Sequence, residues 1–176
     1  SGKMSRNNKR DNLALLKSMR NKVFIHLILG LFMVMMLWSC NSRNFFEQNQ
    51  AIKNEQWLAS DIREFTFDVT DTNSYFNFYL NVRNNNEYPF ANLYVFLETR
   101  FPDSTRARDT LELQLADVSG KWLGKAPSRY KYNNFILRKA MRFVHAGGYK
   151  FRLEQGMRRD TLPGISDIGL KIDFYP

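Results

Sequence analysis

The chain is poor in the side chains that most often carry out catalysis. From residue 40 onward it contains one cysteine, Cys40, and one histidine, His145. These counts exclude a zinc site of the Cys/His type and a Cys–His nucleophile pair built from this part of the chain alone. A Ser–His–Asp triad would have to use His145, which precedes Gly147-Gly148 in a predicted loop, and no G-x-S-x-G motif occurs. We therefore expect His145 to be an exposed or locally bonded loop residue.

Three carboxylates remain as candidates for acid–base chemistry. Asp109, Glu112 and Asp117 are near one another in the sequence, and two carboxylates facing one cleft could hydrolyse a glycosidic bond. Glu112 alternates with leucines, however, and this period of two places it on the solvent face of a strand. We predict a protein that is not an enzyme and needs no metal or cofactor, with a hydrolase as the alternative if these acids share a cleft.

A set of three aromatic residues is a candidate for ligand binding, not for catalysis. Trp122, Tyr130 and Tyr132 flank the glycine- and proline-containing stretch 120–128. Aromatic rings on the loops of a β-sandwich can stack against sugar rings, so a carbohydrate- or peptidoglycan-binding module is the second functional hypothesis. The alternative role of Trp122 is to anchor this long loop to the domain.

The N-terminal segment predicts export. The run Val23–Trp38 is 16 residues long and has no charged side chain if His26 is neutral. A stable membrane-spanning helix needs about 20 apolar residues, so the run is short for that purpose. A basic segment followed by an apolar core and a small residue is typical of a signal peptide, here residues 1–39. An uncleaved signal anchor is the competing interpretation.

The only cysteine lies at the end of this apolar run. Leu37-Trp38-Ser39-Cys40 resembles the lipobox of bacterial lipoproteins, although Trp38 is larger than the side chain usual at its position. The resemblance implies cleavage before Cys40, a diacylglyceryl group on its thiol and an acyl group on its amine. We therefore expect Cys40 to be the lipidation site, which would anchor the mature chain to a membrane.

Charge argues against nucleic acid as a partner. The net charge of the chain is +9, but seven of the 26 basic residues and one of the 17 acidic residues precede Cys40. The remaining 19 basic and 16 acidic residues leave a nearly balanced domain without a long basic run. Nucleic-acid binding would require a basic patch or stripe, so we expect none.

Residues 61–176 show the alternation of apolar and polar side chains, with a period of two, that is typical of strands. Seven segments alternate apolar and polar residues or form short apolar runs: Phe65–Val69, Phe76–Val82, Leu93–Thr99, Leu111–Leu115, Phe135–Leu137, Tyr149–Leu153 and Ile165–Phe174. Turn signals such as Asp71–Ser74 and Gly147-Gly148 separate them. We predict an all-β, jelly-roll-like antiparallel β-sandwich of about seven or eight strands over residues 61–176, preceded by a lipidated tether over 40–60.

Three ordered blocks resemble one known family. They are NEYPFANLYVF at Asn86–Phe96, DTLE…LAD…GKWLG within Asp109–Gly124, and QGMR…LPGISDIGLKI within Gln155–Ile172. In this order they resemble sequence blocks of the gliding-motility lipoprotein family GldH of Bacteroidetes. The match covers about Phe65 to Asp173 and agrees with the lipobox-like sequence at Cys40.

The resemblance implies a lipoprotein of the outer membrane that acts with the gliding-motility and type IX secretion apparatus. It supplies no catalytic residues for this sequence. The residues after Cys40 include no acidic cluster of the kind that resembles a surface-export signal. By this resemblance we expect the protein to lie on the periplasmic face of the outer membrane, as an assembly or scaffold component with protein partners.

Overall fold

The computed structural model describes residues 44–125 and 129–176, and this part of the chain folds almost entirely into β-structure. One 3₁₀ turn, Lys53–Glu55, interrupts ten strands. The strands are β1 Asn44–Ala51, β2 Gln56–Leu58, β3 Arg63–Val69, β4 Phe76–Asn85, β5 Asn92–Arg100, β6 Arg106–Gln114, β7 Tyr130–Met141, β8 Gly147–Gln155, β9 Thr161–Pro163 and β10 Ile165–Phe174.

Eight long strands form two four-stranded antiparallel sheets. The first sheet has the order β1-β10-β4-β7 and the second the order β3-β8-β5-β6, while β2 and β9 form a separate short pair. Among these eight, only β5 and β6 are neighbours both along the chain and within a sheet. This alternation between two sheets is the jelly-roll topology. The predicted all-β, jelly-roll-like antiparallel sandwich is confirmed.

The alternation seen in the sequence explains which face of each strand is buried. In β3, Phe65, Phe67 and Val69 are buried whereas Glu64, Thr66 and Asp68 are exposed. In β8 the inward series is Tyr149, Phe151 and Leu153. Side chains of successive strand residues point to opposite faces, so one face of each sheet contributes to the core.

Aromatic rings fill one end of the core. The ring of Phe143, in the connection between β7 and β8, lies 4.9 Å from that of Tyr149 and 5.0 Å from that of Phe76. It also contacts the rings of Phe45 and Phe67 at 5.9 Å. Tilted and edge-to-face aromatic pairs at these distances contribute beyond the area that they bury. They join β1 and β4 of the first sheet to β3 and β8 of the second.

The domain begins earlier than the sequence predicted. Residues 44–51 form β1, which pairs with β10, and residues 56–58 form β2, which pairs with β9. The interpretation of 40–60 as a tether is therefore wrong from residue 44 onward. Its polar composition was misleading because β1 is an edge strand, and only Phe45 and Phe46 pack against the core. Residues 1–39 and Cys40 lie outside the described residues.

Within residues 44–125 and 129–176, no helix has the length and apolar character needed to cross a membrane.

Candidate functional site

The outward side of the first sheet carries a row of carboxamides. The strand register aligns Asn49 of β1, Gly169 of β10, Asn81 of β4 and Asn134 of β7 across the sheet. Asn134 Nδ2 donates to Asn81 Oδ1 at 2.6 Å, and Asn81 Nδ2 donates to Asn49 Oδ1 at 3.2 Å. The three amides form a continuous ladder, which we call the amide ladder.

Gly169 makes the ladder possible. A Cβ atom at this position would collide with Asn49 Oδ1 and would lie 2.8 Å from the carbonyl oxygen of Gln48. A glycine inside a central strand weakens the strand but permits another group to approach its backbone closely. Here the side chain of Asn49 lies across β10 and thereby reaches Asn81 on the next strand.

The neighbouring row is charged and aromatic. Arg83 of β4 lies between Asp167 of β10 and Tyr132 of β7 in the register. It forms an ion pair with Asp167, and its Nη1 donates to the Tyr132 hydroxyl at 3.2 Å. Its guanidinium also lies 5.1 Å from the ring centroid of Tyr130 and 5.5 Å from that of Tyr132.

These contacts hold the Arg83 guanidinium, which is charged at any physiological pH, in one orientation. Burial opposes its charge, but the hydrogen bond with Tyr132 and the negative charge of Asp167 together raise the pKa of the guanidinium above its ordinary value. The side chain is thus a permanent cation with a fixed orientation at the edge of the amide ladder.

Residues of both rows line one concave surface. Its volume is about 700 Å³, and we call it the trough. One wall comes from Leu123, Gly124 and Lys125, which a pair of backbone hydrogen bonds of 2.9 and 3.0 Å between Lys125 and Tyr132 holds against β7. The charged side chains that line the trough are Glu47, Arg83, Lys125 and Asp167, two of each sign. The trough therefore presents hydrogen-bonding groups with no net charge.

The structure separates the three aromatic residues that the sequence grouped together. Trp122 is half-buried and packs against the core, with its ring centroid 6.4 Å from that of Tyr88. It therefore anchors the loop, which is the alternative that the sequence left open. Tyr132 is 50% exposed and lines the trough. Tyr130 lies two residues earlier on the same face of β7, and its hydroxyl donates to Glu55 Oε1 at 2.6 Å.

The hydrogen bond between Tyr130 and Glu55 belongs to a hydrogen-bonded cluster around Glu55 at the end of the trough. The Glu55 carboxylate also accepts hydrogen bonds from Asn85 Nδ2 and from Arg129 Nη2. The hydrogen bond from Tyr130 is the main cause of the lowered pKa of Glu55. The same hydrogen bond raises the pKa of the Tyr130 hydroxyl. Tyr130 thus supports the site more than it offers a stacking surface.

The candidate catalytic acids do not meet in the trough. Asp109 pairs with Arg138 at 3.7 Å, and Glu112 accepts a hydrogen bond of 2.7 Å from Asn92. Asp117 closes a turn by accepting hydrogen bonds from the Ser119 hydroxyl and from the backbone N–H groups of Ser119 and Lys121. These contacts lower the pKa of the Asp117 carboxyl, the Ser119 hydroxyl contributing most. His145 is exposed in the connection between β7 and β8.

Within the described residues, no group of three or more His, Cys, Asp or Glu side chains is arranged to hold a metal ion. The residues of the two rows that the sequence did not reveal are Asn49, Asn81, Arg83, Asn134, Asp167 and Gly169, the last of which lies beneath the amide ladder. Their outward positions follow from alternation along each strand, but only the order of the strands in the sheet brings them together.

Comparison with known proteins identifies the family. The sequence model of the GldH lipoprotein family matches residues 44–172. The chain belongs to the GldH lipoprotein family. The gliding motility lipoprotein GldH of Flavobacterium johnsoniae is 28% identical over 145 residues, covering 78% of this chain and 89% of that protein. The GldH homologue of Christiangramia forsetii is 27% identical over 150 residues, covering 81% and 91%.

The solved structures that align with this GldH-family chain are more distant from it. A carbohydrate-binding module specific for non-crystalline cellulose, CBM28, aligns with a TM-score of 0.36 at 9% identity over 73% of this chain and 74% of that one. Dimeric latent PorU of Porphyromonas gingivalis aligns with a TM-score of 0.32 at 8% identity, covering 74% and 13%. At these TM-scores, neither similarity bears on the function of the chain.

Proposed function

We propose that this protein is a non-catalytic lipoprotein anchored to the periplasmic face of the outer membrane, where it acts as an assembly or scaffold component of the gliding-motility and type IX secretion machinery. The observation that carries the proposal is the GldH family match over residues 44–172, together with a lipobox-like sequence ending at Cys40, four residues before β1. The relatives from Flavobacterium johnsoniae and Christiangramia forsetii are named for gliding motility, which supports the same assignment.

The anchor gives the domain its mechanism of action. Acyl chains contribute about 0.8 kcal/mol for each buried CH₂ group, and two chains hold a protein stably on a bilayer. Confinement to one membrane raises the effective concentration of the β-sandwich near partners in that membrane. The domain then needs only modest contacts with each partner to take part in a large assembly.

Metabolic labelling with a fatty-acid analogue tests the anchor. The wild-type chain is expected to acquire the label, and Cys40→Ala is expected to lose it because the thiol that accepts the diacylglyceryl group is absent. Ser42→Ala serves as the control, since it lies beyond the lipobox-like sequence, and it should retain the label. Equal labelling of the wild type and Cys40→Ala, or no label on either, would contradict acylation at Cys40.

Replacement of the candidate acid–base residues tests the non-catalytic assignment. The variants Asp109→Asn, Glu112→Gln and His145→Gln alter exposed side chains and should leave secretion through the type IX apparatus unchanged in the native host. A large loss of secretion with normal protein levels in any of them would support chemistry at that residue.

The trough supports a second function, binding of a neutral glycan. Planar amides and guanidinium groups offer paired donors and acceptors suited to sugar hydroxyls, and the exposed ring of Tyr132 offers an apolar surface beside them. Equal numbers of positive and negative side chains favour an uncharged ligand over a phosphate-rich one.

Retention on purified peptidoglycan and on neutral polysaccharide gels tests this second function. Asn134→Ala and Tyr132→Ala should each reduce retention, because both side chains are exposed in the trough. Glu112→Gln, on an exposed strand of the other sheet, is the control. Absence of retention of the wild-type protein on every glycan would exclude the function.

A further inference from the structure

One end of the sandwich gathers the beginning of β1 with several exposed apolar side chains. In the register of the first sheet, Asn44 opposes Asp173, Phe174 opposes Phe76, and Phe76 opposes Met141. The same end of the sandwich therefore holds the start of β1, the end of β10, the start of β4 and the end of β7. We call this end of the sandwich, together with the connection 142–146, the β1 end.

Five large apolar residues at the β1 end are exposed to solvent. Their exposed fractions range from 41% to 79%, and they are Tyr75, Met141, Val144, Phe174 and Tyr175. Exposed apolar residues scattered singly are normal, but a group at one site marks an interaction surface. The ring of Phe174 lies 5.1 Å from that of buried Phe76, and Tyr175 N–H donates to the Tyr75 carbonyl at 2.7 Å. The patch is thus held in place by the core beneath it.

Basic side chains accompany the patch. The guanidinium of Arg142 lies 5.7 Å from the ring centroid of Tyr75, and Lys139 is exposed two residues before Met141. The acidic residues at this end include Asp71 and Asp103, each of which closes its own turn, and Asp173, which opposes Asn44 and pairs with Lys171 at 3.0 Å. Asp71 accepts hydrogen bonds from the backbone of Asn73 and Ser74, and Asp103 accepts them from Thr105.

The apolar surface also continues inward. A groove of about 240 Å³ opens between the edge strands β6 and β7. It is lined in part by Leu97, Phe101, Leu137, Met141 and Val144, so two of its residues belong to the exposed patch.

The short segment between Cys40 and β1 limits how far the β1 end can lie from a lipid attached to Cys40. Only three residues separate Cys40 from Asn44. An extended chain spans at most about 3.6 Å per residue, so the first residue of β1 lies within about 14 Å of Cys40. A membrane attachment at Cys40, which is part of the proposed function, would bring the β1 end to the bilayer surface and no other end of the domain.

We propose that the β1 end is a membrane-contact surface that seats the domain on the phospholipid interface. Tyr side chains favour the interface because one end of each is apolar and the other is polar. Arg142 and Lys139 are positioned to meet anionic headgroups, which attract basic residues at the membrane surface. The trough runs along the side of the sandwich, and the loop containing Val118 lies at the opposite end, directed into the periplasm.

Fluorescence quenching by lipid tests the orientation. The full chain, isolated from membranes in its acylated form, is labelled with a small fluorophore at Val144→Cys or, as the matched control, at Val118→Cys. Both valines are exposed on connections at opposite ends of the domain. The proteins are reconstituted into vesicles of phosphatidylethanolamine with a minority of phosphatidylglycerol, some of whose acyl chains carry a nitroxide. Quenching at position 144 should be several-fold stronger than at position 118.

The two proposals fail in different ways. Mass measurement of the N-terminal peptide reports whether Cys40 is acylated, and an unmodified Cys40 would overturn the anchor. Acylated, vesicle-bound protein with equal quenching at both positions, or with none at position 144, would overturn membrane contact at the β1 end. Replacing Tyr75 and Tyr175 by Ser in the Val144→Cys background should reduce the quenching while circular dichroism shows an unchanged fold. Undiminished quenching in that variant would overturn the role of the two tyrosines.

Discussion

A single glycine permits one of the two polar rows in the trough. Gly169 is buried beneath the amide ladder, and the side chain of Asn49 occupies the space that any Cβ atom would need. The side chain of Asn49 can therefore cross β10 to Asn81 because this central position lacks a side chain. The ladder depends on this residue as much as on the amides themselves.

Gly169→Ala should destabilise the domain and break the ladder. The added methyl group collides with Asn49 and approaches the Gln48 carbonyl oxygen, and overpacking of this kind costs about 1–3 kcal/mol. Urea denaturation measures the change in the free energy of unfolding. Adding Asn49→Ala should recover part of the loss, because it removes the side chain that is struck. Additive effects of the two substitutions would contradict the contact.

The hydrogen bond between Tyr130 and Glu55 predicts a dependence of stability on pH. The folded state lowers the pKa of Glu55 from its ordinary value of 4.5. Ionised Glu55 therefore stabilises the fold fully above about pH 4.5, and this stabilisation is lost as the pH falls through the lower pKa that Glu55 has in the folded state. Tyr130→Phe removes the largest cause of the lowered pKa. The variant should melt at a lower temperature than the wild type at about pH 6, and the difference should shrink towards about pH 3.

A second tyrosine provides the control for this titration. Tyr132→Phe removes the hydroxyl that accepts a hydrogen bond from Arg83 and leaves Glu55 untouched. Its melting temperature relative to the wild type should stay nearly constant over the same pH range. If both variants show the same pH dependence, Glu55 is not the group responsible.

At the scale of elements, the short pair β2–β9 closes one end of the core. Trp57 of β2 is fully buried, and its Nε1 donates to the Asp61 carbonyl oxygen at 2.8 Å. The next residue, Leu58, is 47% exposed. Two neighbours on a three-residue strand thus have opposite environments, because successive side chains point to opposite faces.

Trp57→Ala should cost about 3–5 kcal/mol of folding free energy, as expected when a large aromatic side chain is removed from a core. Leu58→Ala should change stability by no more than about 0.5 kcal/mol because nearly half of the residue is exposed to solvent. Chemical denaturation of both variants measures the contrast. A small effect at Trp57 would mean that β2 is dispensable for the fold.

Alternation in the sequence was enough to predict the strands with a clear buried face. β3, β4, β8 and β10 follow that pattern, and the jelly-roll-like sandwich was predicted from them together with the spacing of turns. β1 was missed because an edge strand buries few side chains. Only residues 135–137 of β7 were predicted: residues 130–134 carry no aliphatic side chain, and residues 138–141 alternate poorly because the register with β4 is bulged there.

The site was less predictable than the fold. The sequence named Tyr130 and Tyr132, which do lie on the outward face of β7, but it grouped them with Trp122, which packs inward. Arg83 and the three asparagines of the ladder are separated by up to 85 positions along the chain, from 49 to 134. Nothing in local patterning reveals which strands become neighbours, so their association required the sheet order.

At the scale of the whole molecule, the distribution of charge predicts which partners are excluded. From Cys40 onward, 19 basic and 16 acidic residues nearly balance, and many of them pair with one another on the surface, as Glu64 does with Lys150 and Arg152. Neutralising several phosphates requires unpaired cations. In a gel-shift assay at about 0.15 M salt, the chain from Cys40 onward should not retard DNA or RNA. Salt-sensitive binding would instead reveal a basic surface.

The position of β10 also determines the order in which the domain can form. β10 lies between β1 and β4, so the first described strand has no partner in its sheet until the last strand has been synthesised. Only the β5–β6 hairpin can form from adjacent strands of the main sheets, whereas every other main pairing joins distant segments and is slow. Until residues 165–174 are available, β1 and β4 present open edges that invite wrong pairing. The nascent chain therefore exposes both of these strand edges until its final strand emerges.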